Sequence, residues 1–323
     1  MQPSNIENVT RGNRVFLSFK MMVSAIIIFL LVINLFPVKT IEQKSFFNPK
    51  RPLVIAHQGG ELLAPSNTMT AFENAVNLGV DVLETDIHIT KDGHLVAIHD
   101  PTVDRTTNGK GAVSDLTLAE IQGLDAGYHF TDLEGNYSFR GKGVYIPTVD
   151  EMFQAFGKMK IEIEIKDDNP PERINEIASK LWSLIEKYQM EDKMIIAAFD
   201  QDILTTFDKY AKGRVALSAG RQEVKSFVIF HKFFLRNLYV PKVDAFQLPM
   251  EDSGFDLTDK RLINGAHRLG MNIHYWTIDD PKTMEELIDT GADGILTNRP
   301  DLLLKLLKEK GGTRLIIQIN VLY

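Results

Sequence analysis

The chain has 323 residues, of which 24% are charged and 44% hydrophobic, with a formal net charge of −7. That length fits one large domain or two ordinary ones, and the composition excludes wholesale disorder. The acidic balance offers no footprint for a nucleic-acid partner, and the absence of cysteine excludes thiolate metal sites, thiol nucleophiles and disulfides, leaving the compartment unmarked by redox chemistry.

The N-terminus differs from the rest. After a short tail (residues 1–14), Met21 to Phe36 carry no charge, and Val15–Phe19 extend the run if Lys20 snorkels. Together they reach the ~20 residues that a bilayer span needs. The flank Asn34-Leu35-Phe36-Pro37-Val38 lacks the small residues of a cleavage site. The pattern therefore predicts an uncleaved transmembrane anchor over 15–38, with a removed signal or a buried core helix as alternatives, and a linker over 39–50. Lysines flank both sides, so the positive-inside rule is weak. The expectation is a single-pass protein of the cell membrane with its catalytic domain extracytoplasmic.

From Arg51 onward, short apolar strands alternate with helical stretches, the signature of βα units. The strands are predicted at 53–57, 81–87, 160–166, 194–199, 214–219, 244–248, 272–278 and 293–298. Helices are predicted at Thr68–Leu78, Thr148–Phe156, Pro171–Tyr188, Gln201–Ala211, Asp259–Arg268, Pro281–Thr290 and Pro300–Lys308. A further strand, 94–99, returns from the second through an Asp92-Gly93 turn, a strong two-residue hairpin signal. Counting outward pairs Lys91 with His94, His88 with Ala97 and Asp86 with His99. The return strand must be antiparallel, so eight strands remain for a (β/α)8 TIM barrel over 51–310. An open doubly wound sheet is the alternative, but Gly59-Gly60 is not its phosphate loop. Residues 101–147 are long for a connection, which reads as a small cap insertion over the barrel mouth.

In such barrels the active site lies at the C-terminal strand ends. His57 ends the first strand, Glu84 and Asp86 share one face near the end of the second, Glu164 and Lys166 end the third, and Trp276 lies near the end of the seventh. Glu84, Asp86 and Glu164 form an oxygen-donor set suited to a hard divalent cation, Mg²⁺ or Ca²⁺. Two histidines and a lysine beside them point to phosphoryl chemistry. Lys166 and the cation neutralise charge on phosphate oxygens, while His57 and His99 act as the acid/base pair. Trp276 suits packing against substrate, or holding a quaternary ammonium by cation–π attraction, or a place in the core. His88 is a candidate for a supporting contact, His129 in the cap for reaching substrate, His94 reads as exposed, and His231, His267 and His274 as structural.

The run IAHQGG…APSNTMTAFENAVNLGVDVLETDIHITKDGHLVAIHD resembles the signature of glycerophosphodiester phosphodiesterases, and IPTVDEMF, EIEIK, YWTID and GADGILTNRPD follow in the family's order. The resemblance spans about residues 51–305. It implies a TIM barrel with a small insertion that uses a divalent metal to hydrolyse glycerophosphodiesters to sn-glycerol 3-phosphate and an alcohol. It also implies His57 and His99 as the acid/base pair, without deciding which is the acid. Glu84, Asp86 and Glu164 become metal ligands, Lys166 a phosphate contact, and Asn67 a support residue at the start of the first helix, where it also suits a helix cap. Gln58 replaces the family's usual Arg at a phosphate-binding position and cannot make its charged bidentate contact. Ser66 replaces a Glu, and Glu162 stands where a small or amide residue is common, adding negative charge.

The segment Phe227 to Tyr239 follows the fifth strand and is expected to approach the mouth. It reads either as a helix packed on the barrel or as a membrane-resting surface with His231, Lys232 and Arg236 at the headgroups. With the anchor, it favours membrane lipid as a partner and a lysophospholipid as an alternative substrate, cleaved by a lysophospholipase-D-like or cyclising reaction. A phosphate-ligand binding protein without turnover is the non-enzymatic alternative. The tail 311–323 carries a β-like apolar run with no evident place in the barrel. Oligomeric state is written in none of these motifs.

Overall fold

The computed structural model describes residues 4–35, 37–47 and 51–320, with the helical stretches 4–15 and 312–320 given by backbone alone. Residues 1–3 of the expected tail, Phe36, residues 48–50 of the expected linker and residues 321–323 lie outside the described residues.

Eight parallel strands form the barrel: β1 (Leu53–Ala56), β2 (Val82–Ile89), β4 (Lys160–Ile165), β5 (Met194–Ala197), β6 (Ala216–Leu217), β7 (Ala245–Leu248), β10 (Asn272–Tyr275) and β11 (Gly294–Thr297). They are ordered β6-β5-β4-β2-β1-β11-β10-β7. The ends meet through a parallel bridge, Ser218 to Ala245, flanked by Asp244 N donating to Leu217 O and Ala219 N to Ala245 O, both at 2.9 Å. This closure removes the open-sheet alternative. β3 (Leu95–Ala97) pairs antiparallel with β2, and a short hairpin joins β8 (Glu251–Asp252) to β9 (Phe255–Asp256).

The helices are α1 (Ser4–Ile33), α2 (Met69–Leu78), α3 (Leu118–Gln122), α4 (Val149–Phe156), α5 (Ile174–Tyr188), α6 (Gln201–Ala211), α7 (Arg221–Lys232), α8 (Lys260–His267), α9 (Pro281–Thr290) and α10 (Pro300–Asn320). Side-chain chemistry sets several starts. Thr148 and Glu151 close a capping box on α4, and Asp280 caps α9 ahead of Pro281. Alternation sorts the strands' apolar residues. Val54, Leu83, Ile161, Ile163, Phe246 and Ile273 face the helices, whereas Leu53, Ile55, Val82, Ile195, Ala245 and Leu296 face the lumen. The cap has a small core of its own, including Val103, Val113, Ile121 and Val144.

Four expectations change. The hairpin slips by one residue: Ile87 pairs with Ala97, His88 with Val96 and Ile89 with Leu95. The loop has three residues, closed by Gly93 N donating to Thr90 O at 3.0 Å, with Gly93 at φ = 88°. Glycine in the third loop position supplies the left-handed residue that a three-residue loop requires. Asp86 therefore hydrogen-bonds Ile98, whose N donates to Asp86 O at 3.0 Å, and not His99.

The stretch read as a linker is built into the barrel. Phe46 and Phe47, in a 3-10 turn, are fully buried against the lumen-facing residues at the N-terminal strand ends. Lys44 Nζ donates to Val215 O at 2.6 Å and pairs with Asp244 Oδ2 at 3.0 Å. Ile41 N donates to Leu269 O at 3.0 Å. These residues form the barrel's floor.

α1 begins at Ser4, inside the expected tail, and its Phe16–Ile33 window is apolar (mean hydropathy 2.6) with almost none of it covered by protein. That exposure rules out a buried core helix. The chain after Lys310 continues as helix to Asn320, not as a strand. A mid-helix Gly costs only ~1 kcal/mol, so the Gly311-Gly312 pair does not force an end.

Candidate active site

Inward-facing residues change character from floor to mouth. Above Phe46 and Phe47 come Glu162, bonded by Gln247 Nε2, and the buried His274. At the mouth stand His57, Glu84, Asp86, Glu164, Lys166, Trp276 and Asn298. The parallel register sets Glu84 beside Glu162 and Asp86 beside Glu164. Two carboxylate pairs are thus held side by side in a place that water reaches poorly, an arrangement that costs energy unless positive charge offsets it.

The protonation tendencies follow. Burial, with the charges of Asp86 and Glu162, holds the Glu84 carboxyl well above the usual range. Burial pushes Glu162 up to about 8, so the extra acid adds little negative charge at neutrality. Burial and the Asp86 charge push Glu164 up to about 7, against the pull of Lys166. Burial alone would lower the Lys166 ammonium, but Asp86 and Glu164 outweigh it and the net direction is up.

Lys166 is the hub. Its Nζ lies 3.1 Å from Glu164 Oε1, 3.5 Å from Asp86 Oδ1 and 3.2 Å from His99 Nε2. Among the described residues, no three histidine or carboxylate side chains converge closely enough to hold a metal ion; the ammonium lies between Asp86 and Glu164 instead. The donor chemistry nonetheless fits a hard divalent cation. Four carboxyls face one lysine, and the oxygens of Glu84, Asp86 and Glu164 come from two adjacent strands.

The two histidines are oriented differently. His57 Nδ1 is 2.6 Å from Asn298 Oδ1. Asn298 Nδ2 donates to Asp279 Oδ2 at 2.9 Å, and Asn298 N donates to Asp279 Oδ1 at 2.7 Å. Because that amide nitrogen is committed to Asp279, its oxygen accepts from His57, which fixes the proton on Nδ1 and leaves Nε2 as an acceptor. His99 Nδ1 is 2.8 Å from Asp100 Oδ1, and Asp100 is gripped by Arg105 Nε at 2.7 Å. Burial would raise the Asp100 carboxyl, but the Arg105 and His99 bonds outweigh it and hold it low. His99 reaches Lys166 from beyond the hairpin strand, so it joins the site despite the slipped register.

Gln58 takes φ = 50° in the turn that follows β1, a left-handed conformation uncommon outside glycine. Its backbone N donates to Glu84 Oε2 at 2.6 Å. The side chain is buried, with Nε2 3.5 Å from His57 Nε2 and Oε1 unpartnered. Gly59 follows at φ = 80°, where a Cβ would lie 2.7 Å from Ala71 Cβ, so no larger residue fits. Asn67 is not the cap of α2. It sits at φ = 56°, and its Nδ2 donates to Asp86 Oδ2 at 3.1 Å while Thr85 Oγ1 donates to its Oδ1 at 2.7 Å. The cap is Thr68, whose hydroxyl accepts from Ala71 N. Trp276 is half-buried, edge-on to Phe199 with centroids 5.7 Å apart.

The sequence matches the profile of the glycerophosphoryl diester phosphodiesterase family over residues 57–302. The chain belongs to this family. It is 35% identical over 263 residues to the glycerophosphodiester phosphodiesterase of Caldanaerobacter subterraneus subsp. tengcongensis, covering 81% of this chain and all of that protein. The fold matches the glycerophosphoryl diester phosphodiesterase domain of a Mycobacterium tuberculosis protein (TM-score 0.69, 18% identity, 80% of this chain and 100% of that one). It also matches an Oleispira antarctica phosphodiesterase solved in complex with the product sn-glycerol-3-phosphate (TM-score 0.65, 20% identity, 80% and 97%). The fold of the family, a TIM barrel, is the one described above.

For this family member, sequence reasoning missed Asn298, Asp279, Asp100 and Arg105. The first three stood in the quoted runs GADGILTNRPD, YWTID and AIHD, and a polar residue following a buried strand at the barrel mouth was the available signal. Other histidines stay outside the site. His88 braces the hairpin through Ile98 O at 3.0 Å and Asp168 at 2.8 Å, His94 and His129 are exposed, and His267 pairs with Asp293 at 2.8 Å.

Proposed function

We propose that the chain hydrolyses water-accessible glycerophosphodiesters to sn-glycerol 3-phosphate and an alcohol, with His57 and His99 as the proton-transfer pair. The observation that carries this reading is the convergence of both imidazoles, Lys166 and the Glu84/Asp86/Glu164 carboxylates at the mouth of a barrel of this family. In the reaction water adds to phosphorus, the bond from phosphorus to the alcohol oxygen breaks, and the alcohol leaves with a proton. One imidazole accepts the proton of the attacking water and the other gives one to the leaving oxygen. Asn298 holds His57 with Nε2 facing the mouth, and Asp100 does the same for His99. Lys166 supplies fixed positive charge against the phosphate oxygens. Gln58, lacking a charge, offers an amide in that role, and Trp276 walls the alcohol side.

Glu84, Asp86 and Glu164 would hold a divalent cation, Mg²⁺ or Ca²⁺, which supplies further positive charge to the phosphate. Support comes from the surplus of buried carboxyls over cationic groups. The exposed apolar window of α1 supports a membrane anchor; an extracytoplasmic catalytic domain is the orientation proposed with it.

The test is release of glycerol phosphate by purified protein from glycerophosphocholine and related diesters, with EDTA and metal add-back. Phosphorus NMR distinguishes an open monoester, as expected, from a cyclic phosphate. No turnover of any diester, with binding intact, would overturn the reading.

A further inference from the structure

The barrel has two ends, and the apolar helix meets it at the floor. α1 ends at Ile33. The next residue, Asn34, donates from Nδ2 to Phe234 O at 2.9 Å and accepts at Oδ1 from Arg236 Nε at 3.1 Å. Phe234 and Arg236 belong to the turn that carries the chain from the end of α7 to the N-terminal end of β7, so they lie at the floor rim. The expectation that Phe227 to Tyr239 approaches the mouth is thereby corrected. Its first part packs inward, with Phe227 fully buried, and His231 lies on the Phe227 ring (centroids 4.1 Å apart) instead of facing outward.

The second part of the segment is left bare. Phe233 and Phe234 are 66% and 69% exposed, and Leu238 and Val240 are 48% and 49% exposed. Phe234 is held at φ = 60°, a conformation costly for a bulky residue. Lys232, which ends α7, and Arg236, in the turn after it, are exposed, and so is Lys39 in the segment that follows α1. Large apolar side chains interspersed with cations along the chain, continuous with a helix fit to cross a bilayer, have the composition of an interfacial membrane contact.

We infer that the floor rim, through Phe233, Phe234, Leu238 and Val240, rests on the bilayer that α1 enters, so that the mouth opens away from it. This rests on the anchor and hydrolase readings above and deepens them by setting which lipids the mouth can reach. His57 stands four residues along from Leu53, roughly 11 Å above the floor at ~3.3 Å per residue and a strand tilt of ~36°. A lipid in the same bilayer would have to leave it completely to place its phosphate there, at ~0.8 kcal/mol for each methylene withdrawn. A lysophospholipid of the enzyme's own membrane is therefore excluded as a substrate, which leaves the water-soluble diester proposed above.

The test uses the full chain reconstituted in phosphatidylcholine–phosphatidylglycerol vesicles. The chain has no cysteine, so Phe234→Cys and, on the cap, Glu134→Cys each accept one fluorophore. Lipid-borne spin labels are expected to quench the label at 234 at least threefold and to leave that at 134 unchanged. Turnover of glycerophosphocholine is expected to exceed that of lysophosphatidylcholine in the same vesicles by at least tenfold. Absence of quenching at 234, quenching at 134, or cross-linking of two copies through 234 without lipid quenching would overturn the surface. Preferred turnover of the embedded lysolipid would overturn its exclusion as a substrate. Quenching at 234 with no turnover of either substrate would leave the surface standing and defeat the hydrolase reading.

Discussion

Asn298→Ala separates positioning from binding. The side chain has two tasks: accepting from His57 Nδ1 at 2.6 Å and donating to Asp279 Oδ2 at 2.9 Å. Asp279 keeps Asn298 N and Thr297 Oγ1 as donors, so the fold loses about 1.5–3 kcal/mol, the range for a hydrogen bond to a carboxylate. His57 loses the acceptor that fixes its tautomer and ring plane. If ~1.4–2.7 kcal/mol of transition-state stabilisation depends on that orientation, kcat falls about tenfold to a hundredfold, at 1.36 kcal/mol per decade. KM should move less than about threefold, because the Asn298 side chain is committed to protein partners. The assay is steady-state kinetics on glycerophosphocholine, with thermal melts to confirm folding. Unchanged kcat in Asn298→Ala, or a loss confined to KM, would refute the reasoning.

Three further outcomes are expected. Phe47→Ala opens a cavity in the floor and should cost ~3–5 kcal/mol, seen as a drop in Tm of roughly 6–20 °C at ~2–4 °C per kcal/mol for a domain of this size; an unshifted melt would mean that the floor is not part of the barrel's core. Glu162 has its carboxyl raised to about 8, so between about 4.5 and about 8 the folded chain holds a proton that the unfolded chain gives up. Stability from this group falls as pH rises through that window. Glu162→Gln should therefore raise Tm at pH 8 in EDTA, with the gain shrinking towards pH 5, and a gain that grows on acidification would contradict the assignment. Mg²⁺ or Ca²⁺ should raise the Tm of the wild-type chain in a concentration-dependent way and do so much less in Asp86→Asn, as measured by calorimetry; equal shifts in both would place the cation elsewhere.

The barrel was legible because its signals are local. Alternation and turn residues mark the strands, and Thr148, Asp280 and Pro281 mark helix starts. The wall of the site was legible as well, since a Glu or Lys inside an apolar strand has few other reasons to be there. The misread features depend on backbone detail or on distant partners. One residue in the Lys91–Gly93 loop decides the hairpin register, and a one-residue slip exchanges faces. The polar side chain of Asn67 looked like a helix cap, but its left-handed backbone turns it to Asp86. Phe46 and Phe47 carry no periodicity in so short a stretch, and their burial depends on strand ends that are remote in sequence. The Asn298–Asp279 pair could be placed behind His57 only once the barrel had closed and set β11 beside β1. The run that holds Phe233 and Phe234 read either as a packed helix or as a membrane-resting surface, and only the path of α7 away from the mouth shows which end of the barrel they occupy.

The central claim is tested most directly by glycerol phosphate release from glycerophosphocholine with added divalent cation, comparing the wild-type chain with His57→Ala and His99→Ala. Expected are turnover by the wild type, its loss with EDTA, and a fall of about a hundredfold or more in each folded variant. Equal turnover in wild type and both variants would contradict it.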